Sequence, residues 1–185
     1  MLRHNLNREF ILSQLLDLAE LPVLLSTEGL ELAQEIANKM VDIFQTQHQV
    51  FILGLAPYGN IARDLADSFK DGLNIKHPPL PVTLLEPATG GKEPISGLLR
   101  EVQEGDGLFL ISGEHNQPAE ALIKAGKEKT VFTFAFCSHP PLKAHRPDLL
   151  FYVPVANRPR VKELFLMLGH MICTLVEANL FGNSF

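Results

Sequence analysis

The 185-residue chain has no tryptophan, only two cysteines and no excess of basic residues. Two cysteines cannot build the dense disulfide framework that staples small secreted domains. Cys137 and Cys173 sit in apolar runs and read as buried thiols of a reducing compartment. Sixteen Lys and Arg stand against twenty-one Asp and Glu, a net charge of −5. That balance argues against nonspecific nucleic-acid binding, in which cations must neutralise phosphates. No uninterrupted apolar run approaches about 18 residues, so no membrane span is expected. An apolar signal core is also missing, because Leu2-Arg3-His4-Asn5 leads into polar and acidic residues. Together these absences predict a cytoplasmic protein without direct nucleic-acid or membrane contact.

Hydrophobic residues make up 46% of the chain and charged residues 20%, enough apolar matter for one packed domain over residues 1–185. Five short apolar runs stand out: Val50–Gly54, Val82–Leu85, Leu108–Ser112, Thr130–Ala135 and Leu149–Val153. They lack period-2 alternation, as strands covered on both faces do. Between them lie helical stretches. Residues 61, 62, 65, 66 and 69 form an apolar stripe, and Ile95–Val102 and Ala119–Lys127 are shorter candidates. Strand and helix in alternation predict an α/β fold of βαβ units. The expectation is a three-layer sandwich with a roughly five-stranded parallel sheet, flavodoxin-like, over residues 49–157.

Both ends read as helical. Residues 1–48 form a helix pair: Leu6–Leu18, with Leu6, Phe10, Leu15 and Leu18 as contacts, and Ser26–His48, capped by Ser26 or Thr27. The last helix, residues 158–181, takes Pro159 in its first turn and Gly182 at its end. Its apolar residues run around nearly the whole circumference, which predicts burial on more than one side and hence a homo-oligomer, dimer or tetramer.

Ligands of open parallel sheets bind beyond the carboxyl ends of the strands. Two strand ends there lead into helices through turns rich in small and polar residues. The first carries Gly54, Tyr58, Gly59 and Asn60; the second carries Ser112, Gly113, Asn116 and Gln117. Backbone N–H groups at such turns suit an anion, or they belong to ordinary βα turns. Glu114 brings like charge to the second turn. Tyr58 suits either closure over a ligand or capping of its turn.

From this order of elements, and from Arg160-Val161-Lys162-Glu163 followed by His170, the chain resembles the sugar isomerase (SIS) domains of the phosphoheptose isomerase group. That group includes the initiator-associating proteins that bind DnaA, and the tail Glu177-Ala178-Asn179-Leu180-Phe181 is similar to that branch. The resemblance implies a His and a Glu on the helix after the first turn which, with a C-terminal Gln and His, supply metal ligands and the acid–base pair. Aligned here are Asp64, Ser68, Lys162 and His170, so only the last His is kept. Lys162 would repel zinc; no cofactor is expected, and zinc enters only through the family. The implied phosphate loop has lost several hydroxyls in Ser112–Gln117, the later Thr-Gly turn falls near Ala135-Phe136, and the segment between Val82 and Leu108 is short.

The resulting expectation is a retained fold with a dismantled site. It describes a non-catalytic regulatory protein similar to the DnaA-binding branch, with a phosphoheptose isomerase acting on sedoheptulose 7-phosphate, or a phosphosugar sensor, as alternatives. His170 is the candidate catalytic residue, and Lys162 joins the two turns as candidate ligand-binding residues. His170 on an apolar helix suits a hydrogen-bonded packing residue as well as an active-site one. His115, His139 and His145 match no compact metal motif, Cys137 near His139 lacks an orienting group for nucleophilic work, and Asp64, Asp67 and Asp71 read as a solvated face.

Overall fold

The computed structural model describes residues 2–20, 27–87, 95–113, 117–138, 146–153 and 157–182. The elements run α1 (Leu2–Glu20), α2 (Thr27–Gln45), β1 (Val50–Gly54), α3 (Gly59–Asp71), β2 (Val82–Leu85), α4 (Ile95–Leu98), β3 (Gly107–Ser112), α5 (Gln117–Glu128), β4 (Phe132–Cys137), β5 (Leu149–Tyr152) and α6 (Arg158–Phe181). The five strands pair in parallel in the order β2-β1-β3-β4-β5, with Val50 opposite both Val82 and Gly107. The chain order therefore reverses between β1 and β3, where open α/β sheets place their ligands.

Alternating residues of each strand feed two cores, which is why the strands show no polar face. Val50, Ile52, Phe109, Ile111, Phe134, Phe136 and Phe151 join one core with α2, α3 and α6. Phe51, Leu53, Leu108, Leu110 and Ala135 face α5 together with Leu99 and Val102. This is the expected three-layer α/β sandwich.

Several boundaries differ from expectation. β4 begins two residues late because Thr130, at φ 58°, closes a turn by donating its N–H to Lys127 O. Ala135 and Phe136, expected near a turn, are buried inside that strand. α4 is a single turn, and α2 stops at Gln45 because Gln47 takes φ 63°. Ser26 lies outside the described residues, as do Glu114, His115, Asn116, His139, His145 and residues 88–94 of the shortened segment. Cys137 and Cys173 are buried free thiols.

α1 departs further. Leu18 packs on the core, but Phe10 and Leu15, expected as contacts, are 65% and 55% exposed, as are Ile11 and Leu16 at 58% and 65%. Arg160 holds this helix by donating to Gln14 O and Oε1 at 3.2 and 2.8 Å. By length and composition α6 could cross a membrane, contrary to the reading from uninterrupted runs. Core packing accounts for one face of it: Val161, Leu164, Phe165, Leu168, Ile172 and Val176 are all buried, whereas Leu166, Met167, Met171 and Leu175 are only partly covered.

Candidate functional site

The crevice at the carboxyl ends of β1 and β3 is occupied by the protein itself. Tyr58 lies one residue before α3, and its carbonyl accepts the first helical N–H bonds, from Ile61 and Ala62. Its side chain turns inward, is 1% exposed, and packs against Phe165 at 5.5 Å between ring centroids. A Cβ built on Gly113 would lie 1.9 Å from Tyr58 Oη. Only glycine lets the β3 turn pass beneath that ring. Ser138 Oγ donates to Gly113 O, tying the end of β4 to the same turn. Ser112 and Gly113 are buried, as is Gly54, whereas Gly59, Asn60 and Gln117 are exposed. Tyr58 thus stands at the N-cap position through its backbone, while its side chain makes no capping bond and fills the crevice.

Positive charge gathers at the start of α6. Pro57, Arg158, Pro159, Lys162 and Glu163 line a hollow of about 450 Å³, and Lys162 Nζ stands 6.0 Å from the Tyr58 ring centroid. A helix N-terminus adds its own positive potential there. Glu163 is held by Arg160 at 2.6 Å. A second hollow, about 540 Å³, lies at the opposite end of the sheet near Lys39, His48, Lys127 and Asp148, away from the carboxyl ends of the strands; its Lys127 pairs with Asp148 at 3.6 Å.

Two helical turns beyond Lys162, α6 meets α3. A Cβ on Gly169 would fall 2.3 Å from Leu65 Cδ2, so the missing side chain is what lets the helices close. Closure brings His170 Nε2 to 3.0 Å from Asp64 Oδ2, across 106 residues of sequence. Asp64, Asp67 and Asp71 all stay on the exposed face expected of them, and Asp64 in addition bonds to His170. The pair stays wet, His170 at 35% and Asp64 at 53% exposure. It borders an apolar groove of about 820 Å³ lined by Leu73, Leu166, Met167, Met171 and Leu175 among others. Two sequence signals pointed to this junction: the resemblance, which aligned Asp64 and His170 with side chains of one site, and a glycine directly before His170 in an apolar helix, where glycine costs about 1 kcal/mol.

Zinc does not fit these residues. Ser68 Oγ is committed to Asp64 O at 2.8 Å, Lys162 is cationic, and Asp64 and His170 bind each other. Among the described residues no three His, Cys, Asp or Glu side chains converge.

A second His–carboxyl pair lies deeper. Glu177 accepts the N–H groups of Leu73 at 2.5 Å and Asn74 at 3.0 Å. His77 Nε2 is 3.5 Å away from it, and the His77 ring stacks on Phe181 at 4.6 Å. Burial, with Glu177 beside it, pushes the Cys173 thiol up to about 12.

No family model matches the chain. It is 28% identical over 178 residues to a phosphoheptose isomerase of Aneurinibacillus thermoaerophilus, covering 88% of this chain and 89% of that one. Its fold is similar to the structure of a phosphoheptose isomerase from Francisella tularensis, with TM-score 0.78, 17% identity and coverage of 92% and 97% of the two chains. It is also similar to that of a phosphoheptose isomerase from Neisseria gonorrhoeae, with TM-score 0.72, 20% identity and coverage of 96% and 100%. Against the expectation of a regulatory DnaA-binding protein, these likenesses favour the isomerase alternative. By sequence the chain is similar to phosphoheptose isomerases, and its five-stranded parallel α/β fold is that of their solved structures.

Proposed function

We propose that the protein is a sugar-phosphate aldose–ketose isomerase of the phosphoheptose type, with His170 as the proton-transferring side chain. The observation that carries this reading is the solvent-reachable Asp64–His170 pair at the α3–α6 junction. Isomerisation takes a proton from the carbon beside a carbonyl, leaves the electron pair in an enediolate, and returns a proton to the neighbouring carbon. An imidazole near neutrality can do both. Arg158, Lys162 and the α6 N-terminus supply positive potential for the phosphate. A group to serve the sugar oxygens comes, in this reading, from a second copy of the chain. Exposed Phe10, Ile11, Leu15 and Leu16 and the groove beside His170 are the apolar surfaces such a copy would cover. DnaA is not needed for this reading.

Purified protein incubated with sedoheptulose 7-phosphate should form the aldose isomer, followed by NMR. His170→Ala should lower kcat roughly 10²- to 10⁴-fold with an unchanged melting temperature. Light scattering should give a dimer or tetramer. No turnover by the wild-type assembly would overturn the proposal. One observation favours a second reading, a non-catalytic phosphosugar sensor: the Tyr58 ring fills the space over the Gly113 turn. A sensor would gain melting temperature with phosphosugar while turning nothing over.

A further inference from the structure

We infer that Asp64 is a positioning residue that fixes one tautomer of His170, so that Nδ1 is the basic nitrogen of the ring. The inference rests on the isomerase reading for its use, but not for its structural content. The Asp64 carboxylate can only accept a hydrogen bond. Its Oδ2 lies 3.0 Å from His170 Nε2, so the shared proton belongs to Nε2. In the neutral ring the lone pair is then on Nδ1. The backbone supports the same orientation. Gly169 against Leu65 sets the spacing of α3 and α6, and Thr174 Oγ1 donates to His170 O at 3.0 Å while accepting from Asn74 Nδ2 at 2.7 Å. The helix segment carrying His170 is thus tied to the chain that follows α3. The two positions where a zinc site would need two ligands hold instead a base and its orienting partner.

A carboxylate that orients an imidazole matters most when it removes the wrong tautomer, because a ring presenting N–H to the substrate carbon cannot accept its proton. Asp64→Asn is therefore the sharper change. An asparagine can turn its NH₂ toward Nε2 and place the ring proton on Nδ1.

Long-range ¹H–¹⁵N NMR of the imidazoles, above the pH where the ring titrates, reads this directly; His170→Gln identifies the resonance. Wild-type His170 should show a single tautomer protonated at Nε2. Asp64→Ala should give a mixture, Asp64→Asn a larger share of the Nδ1-protonated form, and Asp64→Glu should keep the wild-type pattern. Both Asp64→Ala and Asp64→Asn should lower kcat for sedoheptulose 7-phosphate roughly ten- to a hundredfold with little change in KM, and Asp64→Glu should restore part of it. A mixed tautomer in the wild type, or one unmoved by Asp64→Ala, overturns the inference. A fixed tautomer that responds to Asp64 in a protein that turns nothing over upholds the positioning role and removes the isomerase reading.

Discussion

Two histidine–carboxyl pairs sit along α6, two helical turns apart, and they are built for opposite purposes. The side chains of His170 and Asp64 are reachable by solvent and, among the described residues, bond to each other. The side chains of His77 and Glu177 are 1% and 0% exposed, and Glu177 also takes backbone N–H groups from the bend after α3. Burial makes the second pair expensive to disturb, since a polar group removed from water must keep its partners. Exposure makes the first pair cheap to disturb structurally. In one place a buried carboxylate beside a histidine holds a loop; in the other, under the proposed function, a wet pair of the same residue types would handle a proton.

The largest effect should come from breaking the buried pair. Glu177→Ala removes the acceptor of the Leu73 and Asn74 N–H groups and leaves His77 beside a void. A loss of about 3 kcal/mol is expected, or roughly 6–12 °C in melting temperature for a chain of this size. Glu177→Gln, which keeps one acceptor oxygen, should lose less. Thermal unfolding checks both. If Glu177→Ala melts with the wild type, the buried pair does not hold the loop, and the contrast with Asp64–His170 collapses. Substitutions at His170 should show the reverse pattern, large in kcat and small in melting temperature.

Burial at this corner also fixes the sign of a pH effect. Cys173 has its proton affinity raised from 9.0 to about 12, first by burial and then by Glu177. Below pH 9 the thiol is protonated in folded and unfolded chains alike, and its contribution to stability is constant. Above pH 9 the unfolded thiol ionises while the folded one keeps its proton, so stability falls as pH rises toward 12, by at most roughly 1.4 kcal/mol per unit. Cys173→Ala should lower stability at neutral pH through lost packing, yet flatten the decline between pH 9 and 11 by about one proton. Denaturant unfolding across that window tests it, and an unchanged slope would remove Cys173 as the cause.

The sheet was legible in the sequence because each strand is an apolar run bounded by a turn. β1 and β2 begin and end where those runs do. β4 did not, because Thr130 extends the apolar run but takes a turn conformation that composition does not announce. The site was less legible, for a related reason. Asp64 and His170 are 106 residues apart and Leu73 and Glu177 are 104 apart, so their meeting depends on how α6 packs against the α3 region. Helical periodicity placed Asp64 correctly on the polar side of α3. It could not show that α6 would come close enough at Gly169 to claim one carboxylate from that side. Tyr58 posed the same difficulty: its turn left closure over a ligand and capping both open, and its burial depends on the neighbouring strand offering a Gly113 with no side chain of its own.

The smallest predicted effect is the one that isolates Asp64 most cleanly. Asp64, Asp67 and Asp71 share α3, and by charge, residue type and spacing nothing separates them. Asp67 is exposed and enters none of the described hydrogen bonds. Asp67→Asn removes the same negative charge from the same helix one turn on. If the role of Asp64 came from general electrostatic bias along α3, both variants would alter His170 in the same direction, attenuated by distance and salt. If it comes from the 3.0 Å hydrogen bond, Asp67→Asn should leave kcat and the His170 tautomer as in the wild type. Its change in stability should then stay within about 0.5 kcal/mol. A measurable shift of tautomer in Asp67→Asn would replace the orienting bond with a diffuse field as the cause.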